Sequence, residues 1–320
     1  MRATARAHPN IALIKYWGKR DSVRNLPAAG SISATLGDLW TSMSVDLDES
    51  LDADVLAVNG RDRADLLPRV ARCLDDVLGA SRAAARIASR ANFPIAAGIA
   101  SSASAFAALV VAADAAGGTR RSTAELASLA GRASGSAARS LCGGFVELQP
   151  ADGDVTVTCL RRASGWPLRV VIAVTDAGPK PVGSTEAMEI SRETSPFYAR
   201  WLEQQADDLA AARAAIAARD FGGLATVAEH NCLKMHSVMW SSRPPIVYWN
   251  GVTLDCMRAV RELRSEGAEV FFTIDAGPQV KAFCAAADEA RVHAALAAVA
   301  GVTDVLVSGL GEAAVPVDDA

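Results

Sequence analysis

The sequence predicts an α/β protein of two domains, and three observations carry that expectation. In the first half, short strand-like segments alternate with helical apolar spacing, as at residues 31–36 and at Leu67, Val70, Leu74, Val77 and Leu78. Beyond residues 161–167 (RRASGWP), which mix charge with Gly and Pro, the chain turns mostly helical, so a boundary is expected there. A chain of 320 residues is long enough for one large or two ordinary cores. The expected domains are residues 1–165 and 166–320.

Composition narrows the class. Apolar residues make up 51% and charged residues 21%, a soluble globular balance. A net charge of −4 offers no basic excess to release counterions from nucleic acid, so local basic clusters are expected to serve a small anion. Cys73, Cys142, Cys159, Cys232, Cys256 and Cys284 form no C-x-x-C pair, and the four histidines form no H-E-x-x-H pattern. Neither zinc nor a disulfide framework is signalled, and His230 and His236 read as helix residues. No apolar run precedes Pro9, and the most apolar segments, such as residues 170–174, are far too short to span a bilayer. The expectation is a cytoplasmic enzyme without a membrane or nucleic-acid partner.

In chain order, residues 3–17 (ATARAHPNIALIKYW) read as extended, buried at 11–14 and running into Lys15, Lys19 and Arg20. Two lysines beside Tyr16, Trp17 and Gly18 suit a phosphate; a solvated strand end is the plainer alternative. Strands are expected at 31–36, 40–47 and 55–58, the last closed by Asn59-Gly60. Residues 66–78 read as an amphipathic helix with Arg69 near its polar side, and 82–90 alternate again. Gly117-Gly118 breaks the chain before a helix from Ser122, where Glu125 completes a capping box. Residues 131–144 (GRASGSAARSLCGG) set Ser134, Ser136 and Arg139 in a small-residue frame; that Arg fits a bidentate grip on carboxylate or phosphate, or a structural helix end.

Further strands are expected at 145–148, 155–160 and 168–174, then helices at 184–191, 196–219, 224–240 and 248–265. A strand at 268–274 runs into Asp275-Ala-Gly-Pro278, followed by another helix. The last strand is expected at 302–307, with a loose polar tail from 312.

The stretch 92–114 (NFPIAAGIASSASAFAALVVAAD) organises the chemistry. A small-residue loop through Ala97 and Gly98 leads into an Ala-rich helix, with Ser101, Ser102 and Ser104 where the helix begins. Unpaired N–H groups and the positive end of the helix dipole suit a phosphate there, and the hydroxyls add ligands. An ordinary N-cap on a buried helix fits the same residues. No Gly-Lys-Ser/Thr follows, so the loop is not a Walker A motif. Asp275, at a strand exit, is placed to take a proton from a bound hydroxyl, or to cap the expected helix.

Lysine pair, phosphate loop, Ser/Arg clamp and carboxylate, in this order along the chain, closely resemble the mevalonate diphosphate decarboxylase family of the GHMP kinase superfamily. The matching segments are residues 10–20 (NIALIKYWGKR), 93–104 (FPIAAGIASSAS), 134–144 (SGSAARSLCGG), 184–195 (STEAMEISRETS) and 273–278 (TIDAGP), with Pro68-Arg69 and Cys73-Leu74 also fitting. The resemblance implies a ribosomal S5 domain 2-like N-terminal half and an α+β C-terminal half, with the active site in the cleft between them and a homodimer as the assembly. It implies ATP and Mg²⁺, and decarboxylation of (R)-5-diphosphomevalonate to isopentenyl diphosphate after phosphorylation at the C3 hydroxyl. Asp275 would be the base, Lys15 would lie beside it, and Arg139 would hold the substrate carboxylate. Tyr16, Trp17, Gly18, Lys19, Arg69, Ser134, Gly135, Ser136, Ala137, Ala138, Ser184 and Thr185 would form the substrate pocket. Ala97, Gly98, Ser101, Ser102 and Ser104 would serve the nucleotide phosphates and Mg²⁺. Ala29-Gly30 stands where the family usually carries Asn-Ser, and Ala187 where it has Gly. A phosphomevalonate decarboxylase or a mevalonate 3-kinase on the same scaffold is the alternative.

Overall fold

The computed structural model describes residues 1–94, 101–176, 178 and 181–318. The first half supplies β1 (Arg2–Ala7), β2 (Asn10–Ile14), β3 (Lys19–Asp21), β4 (Leu26–Pro27), β5 (Ser31–Thr35), β6 (Thr41–Leu47), β7 (Val55–Val58) and β8 (Arg61–Asp62). Then come α1 (Leu67–Leu78), β9 (Ala85–Ala91), α2 (Ser101–Ala116), α3 (Thr123–Ala133), β10 (Phe145–Ala151) and β11 (Asp154–Arg161). The second half supplies β12 (Arg169–Val174), α4 (Ser184–Thr194), α5 (Tyr198–Ala218), α6 (Phe221–Trp240), α7 (Gly251–Ser265), β13 (Val270–Thr273), β14 (Val280–Cys284), α8 (Glu289–Ala297), β15 (Asp304–Gly309) and β16 (Val315–Val317).

Strand patterning decides the layers. β9 alternates buried Ala85, Ile87 and Ser89 with outward Arg86 and Arg90, as a sheet with one wet face requires. It belongs to a six-stranded sheet ordered β16-β1-β6-β9-β7-β8, antiparallel except for β7 beside β9. Onto its dry face packs α2, which is apolar almost all round and therefore buried. Val70, Leu74 and Val77 of α1 and Leu126 of α3 close that core. Ser122 caps α3 as its sequence predicts: its N–H donates to Glu125 Oε2 at 2.8 Å while its Oγ accepts from the Glu125 N–H. Such a cap contributes about 1 kcal/mol.

β2 and β5 are buried on both faces within the sheet β11-β10-β5-β2. Ile11, Leu13 and Ile32 share one core with Val170, Ile172, Leu209, Ile216, Phe271 and Phe283, so apolar packing runs continuously from one half into the other. The third sheet, β13-β14-β12-β15, lies against α7 and α8 through Val171, Cys256, Val260 and Leu296. α5 ends on Arg219 in the left-handed conformation, and Asp220 at once caps α6, which makes a tight helical hairpin.

Two expectations are corrected. The helix expected after Asp275-Ala-Gly-Pro278 comes only later, as α8 at Glu289–Ala297: first the chain turns through residues 274–279 into β14, which pairs back antiparallel with β13, Thr273 opposite Lys281. Val280–Cys284 is buried at every position, so it shows no alternation by which to recognise a strand. The tail is not loose throughout either. β16 pairs antiparallel with β1, Val315 opposite Arg6, and so adds a strand from the C-terminal end to the first sheet. No helix among the described residues is long and apolar enough to cross a membrane.

Candidate active site

A cavity of about 530 Å³ opens between the halves, lined from the first by Lys15, Tyr16, Lys19, Arg69, Ser102 and Arg139, and from the second by Ser184, Thr185, Met235 and Asp275. Its floor is an ionic cluster. Lys15, just past the end of β2 and 1% exposed, donates from Nζ to Asp275 Oδ1 at 2.9 Å and to the Ala12 carbonyl at 2.8 Å. Lys281, fully buried on β14, sets its Nζ 3.4 Å from Asp275 Oδ2. The carboxylate thus faces two ammonium groups and keeps 27% of its side-chain surface open to the cavity. At Asp275 the hairpin loop stands clear of the β13–β14 ladder, because Thr273 is the last residue paired.

Arg139 is buried beside this cluster, in a short 3₁₀ turn (Ala137–Leu141) after α3. Its Nε donates to Ser33 Oγ at 3.0 Å and Asn10 Oδ1 at 3.2 Å, and its Nη1 to Ser31 Oγ at 2.6 Å. Alternate residues of β5 point the same way, which is why Ser31 and Ser33 reach one guanidinium. Asn10 is itself fixed by donating to the Ser136 carbonyl and Ser140 Oγ. All these partners are neutral, and burial pulls the guanidinium down to about 10, with the nearby Asp275 charge opposing the shift. A buried cation whose hydrogen-bond partners among the described residues are neutral oxygens, and which faces a cavity, is built to receive an anion.

A second cationic group stands at the mouth. Lys19 Nζ lies 3.2 Å from Thr185 Oγ1, and its pKa is lowered by burial; the charge of Arg69 also lowers it, against the opposing Glu189. Arg69 leans over the Phe106 ring at 4.5 Å and donates to the Ala133 carbonyl. In the same cavity Tyr16 carries a buried hydroxyl without a hydrogen-bond partner among the described residues, and burial holds that phenol well above its usual range, so it stays a donor. Gly135 makes room for it: a Cβ there would come within 2.5 Å of the Tyr16 hydroxyl. Gly135→Ala is expected to displace the ring and raise KM for an anionic substrate about tenfold at near-normal Tm, checked by steady-state kinetics beside thermal melts.

A mostly apolar slot of about 260 Å³ adjoins the main cavity, sharing Arg69, Ser101 and Ser102 and walled by Met43, Leu56, Val58, Phe106 and Leu109.

Residues 7–159 match the family described as the diphosphomevalonate decarboxylase-like N-terminal domain, and residues 170–312 match the mevalonate 5-diphosphate decarboxylase C-terminal domain. The diphosphomevalonate decarboxylase of Eremothecium gossypii is 36% identical over 94% of this chain and 82% of its own. The chain belongs to the diphosphomevalonate decarboxylase family. Its fold is that of mevalonate diphosphate decarboxylase from Staphylococcus aureus, with TM-score 0.93, 34% identity and coverage of 99% and 98% of the two chains. A relative designated MDDEF, solved in complex with MVAPP, AMPPCP and magnesium, has TM-score 0.89 and 33% identity over 100% and 99% of the chains.

Of the positions expected in this family's pocket, Tyr16, Trp17, Lys19, Arg69, Ser134, Gly135, Ser136, Ser184 and Thr185 line the main cavity with Lys15, Arg139 and Asp275. So do Ser101 and Ser102 from the start of α2. Others stand elsewhere. Ser104, one turn further along α2, is fully buried with its Oγ 2.7 Å from Thr41 Oγ1 of β6, so it ties helix to sheet instead of lining the cavity. Gly18 packs on the Tyr198 ring, where a Cβ would sit 2.0 Å from the phenolic oxygen. Ala137 and Ala138 belong to the first core. Ala97 and Gly98 lie outside the described residues.

Sequence reasoning missed Lys281 and Asn10. The signal for Lys281 was a single Lys inside an otherwise apolar run, VKAFC; for Asn10 it was an amide at the head of a buried strand. Neither departure from the family pattern lines the cavity directly: Gly30 abuts Gln149 and Leu209, whereas Ala187 packs with Trp17 and Met188, which do line it.

Proposed function

We propose that this chain catalyses the ATP-dependent decarboxylation of mevalonate 5-diphosphate to isopentenyl diphosphate, CO2, ADP and phosphate. The observation that carries this reading is one cavity holding both a carboxylate set between two lysine ammoniums and a buried guanidinium whose partners are all neutral. The first suits removal of a hydroxyl proton during phosphoryl transfer; the second suits a carboxylate that must be aimed before it leaves.

Lys19, Arg69 and Tyr16 offer charge and donors for the 5-diphosphate, with Thr185 Oγ1 beside Lys19. Arg139 grips the substrate carboxylate, which brings the C3 hydroxyl towards Asp275. Asp275 takes the hydroxyl proton, and Lys15 and Lys281 steady the charges that develop around the transferred phosphoryl. The apolar slot beside Ser101 and Ser102 takes the base of the nucleotide, whose phosphates then face the start of α2. The serine hydroxyls are hard oxygen donors that fit Mg²⁺ alongside phosphate oxygens; when bound, the ion neutralises phosphate charge. Once C3 bears phosphate, the C3–O bond breaks, the carboxylate electrons form the alkene, and CO2 departs.

The test is a coupled assay offering mevalonate, its 5-phosphate and its 5-diphosphate, with ADP and CO2 followed separately. ADP and CO2 in equal amounts from the 5-diphosphate is the expected result. ADP without CO2 from every derivative would make the protein a kinase, and a preference for the 5-phosphate would make it a phosphomevalonate decarboxylase.

A further inference from the structure

The Lys15–Asp275 pair joins residues far apart in the chain, and neither is held there by a β ladder. Lys15 lies beyond the last residue of β2, and Asp275 lies in the β13–β14 hairpin loop. Their backbones are held instead by side chains. The Lys15 N–H donates to Asn231 Oδ1 at 2.8 Å, and its carbonyl accepts from Gln205 Nε2 at 3.0 Å. Asn231 and Gln205 are bonded to each other at 2.6 Å, and Asn231 also donates to Asp208 Oδ2, which pairs with Lys234.

On the other side, the N–H of Ile274 donates to Cys232 Sγ at 3.2 Å, and its carbonyl faces Cys232 Sγ and His236 Nε2, each at 3.4 Å. Ile274 is the residue before Asp275. Trp249 packs on the His236 ring with centroids 4.4 Å apart and donates to Nε2 at 3.2 Å. Asn231, Cys232 and His236 are fully buried and lie within two turns of one helix, α6.

We propose that α6 is the positioning element of the reaction centre, with Asn231 fixing the main chain of Lys15 while Cys232 fixes that of Ile274 and His236, held by the Trp249 N–H, packs beside it. The catalytic ammonium and carboxylate then meet because one rigid helix holds both segments. None of these three residues lines the cavity, so none touches substrate. They act through Lys15 and Asp275. Burial and the nearby Lys15 charge hold His236 down to about 3, which keeps the ring neutral beside the cluster.

The inference rests on the proposed decarboxylase reading for its kinetic arm alone. Asn231→Ala, Cys232→Ala and His236→Phe remove the contacts; Cys232→Ser and His236→Gln keep a polar atom near each lost one. Val238→Ala, elsewhere on α6 and buried, controls for loss of stability. The deletions are expected to lower kcat about ten- to a hundred-fold with KM for both substrates within about threefold, since a misplacement near 1 Å costs that much. The conservative variants should recover most of the loss, and Val238→Ala should keep kcat at whatever Tm it reaches.

Crystal structures of the deletion variants supply a readout independent of activity: the Lys15 Nζ–Asp275 Oδ1 contact, 2.9 Å here, should lengthen or break. If the wild type fails to decarboxylate but the contact still breaks in the variants, the functional reading falls and the positioning role stands. Variants that keep both the contact and wild-type kcat overturn the positioning role, as does a kcat loss matched by Val238→Ala at equal Tm.

Discussion

Asp275→Asn is expected to lower kcat by about three to four orders of magnitude, with substrate affinity changed only a few-fold. Asn keeps the volume and one oxygen towards Lys15 Nζ, but it accepts no proton and brings no charge. Lys15 and Lys281, both buried, lose the carboxylate they share, so the substitution also reaches stability. Removing one partner of a fully buried pair costs about 3–5 kcal/mol; here the open side of Asp275 and the retained amide oxygen reduce that figure. A modest fall in Tm should therefore accompany a near-total loss of turnover. ADP release followed beside a thermal melt separates the two effects. Turnover near wild type, whatever the Tm, would leave Asp275 a structural counterion and remove the base from the mechanism.

How much of this was legible beforehand follows from where each signal resides. Elements with local signals were readable: the helix at Leu67–Leu78 from its apolar stripe, the strand at Val55–Val58 from Asn59-Gly60, and the start of α3 from Ser122 and Glu125. β14 was not, because a strand buried on both faces loses its period and the alanines after Cys284 favour a helical reading. β16 was not, because three residues reading Val-Pro-Val gain their pairing only from β1 at the opposite end of the chain. Residue type and position marked Lys15, Arg139 and Asp275 as candidates and the resemblance gave them roles; their convergence on one cavity is a property of the fold. What the motifs left out is the support around them. Asn10, Ser31 and Ser33 around Arg139, and Gln205 and Asn231 around Lys15, are ordinary polar residues until long-range contacts bring them together.

Arg139→Lys is expected to separate the two halves of the reaction. The guanidinium makes hydrogen bonds in two directions to Asn10, Ser31 and Ser33, and that fixed orientation would aim its remaining face at the carboxylate it is proposed to hold. A lysine supplies one point charge on a flexible stem, so it keeps attraction but loses direction. A charged hydrogen bond of this kind contributes about 1.5–3 kcal/mol, or roughly ten- to a hundred-fold, and the loss should fall on kcat more than on KM. On the proposed mechanism, phosphorylation at C3 needs Asp275 and the lysines, whereas departure of CO2 needs the carboxylate aligned, so early time points should show ADP running ahead of CO2. Burial adds a pH signature. It already draws Arg139 down to about 10, and it would also lower a lysine in the same place, whose ordinary value lies below that of arginine. A cation with a lowered pKa loses its proton as the pH rises, so KM of the variant should climb on the alkaline side before that of the wild type does. Preserved kcat, equal ADP and CO2, and a KM rise independent of pH would together make Arg139 a phosphate ligand.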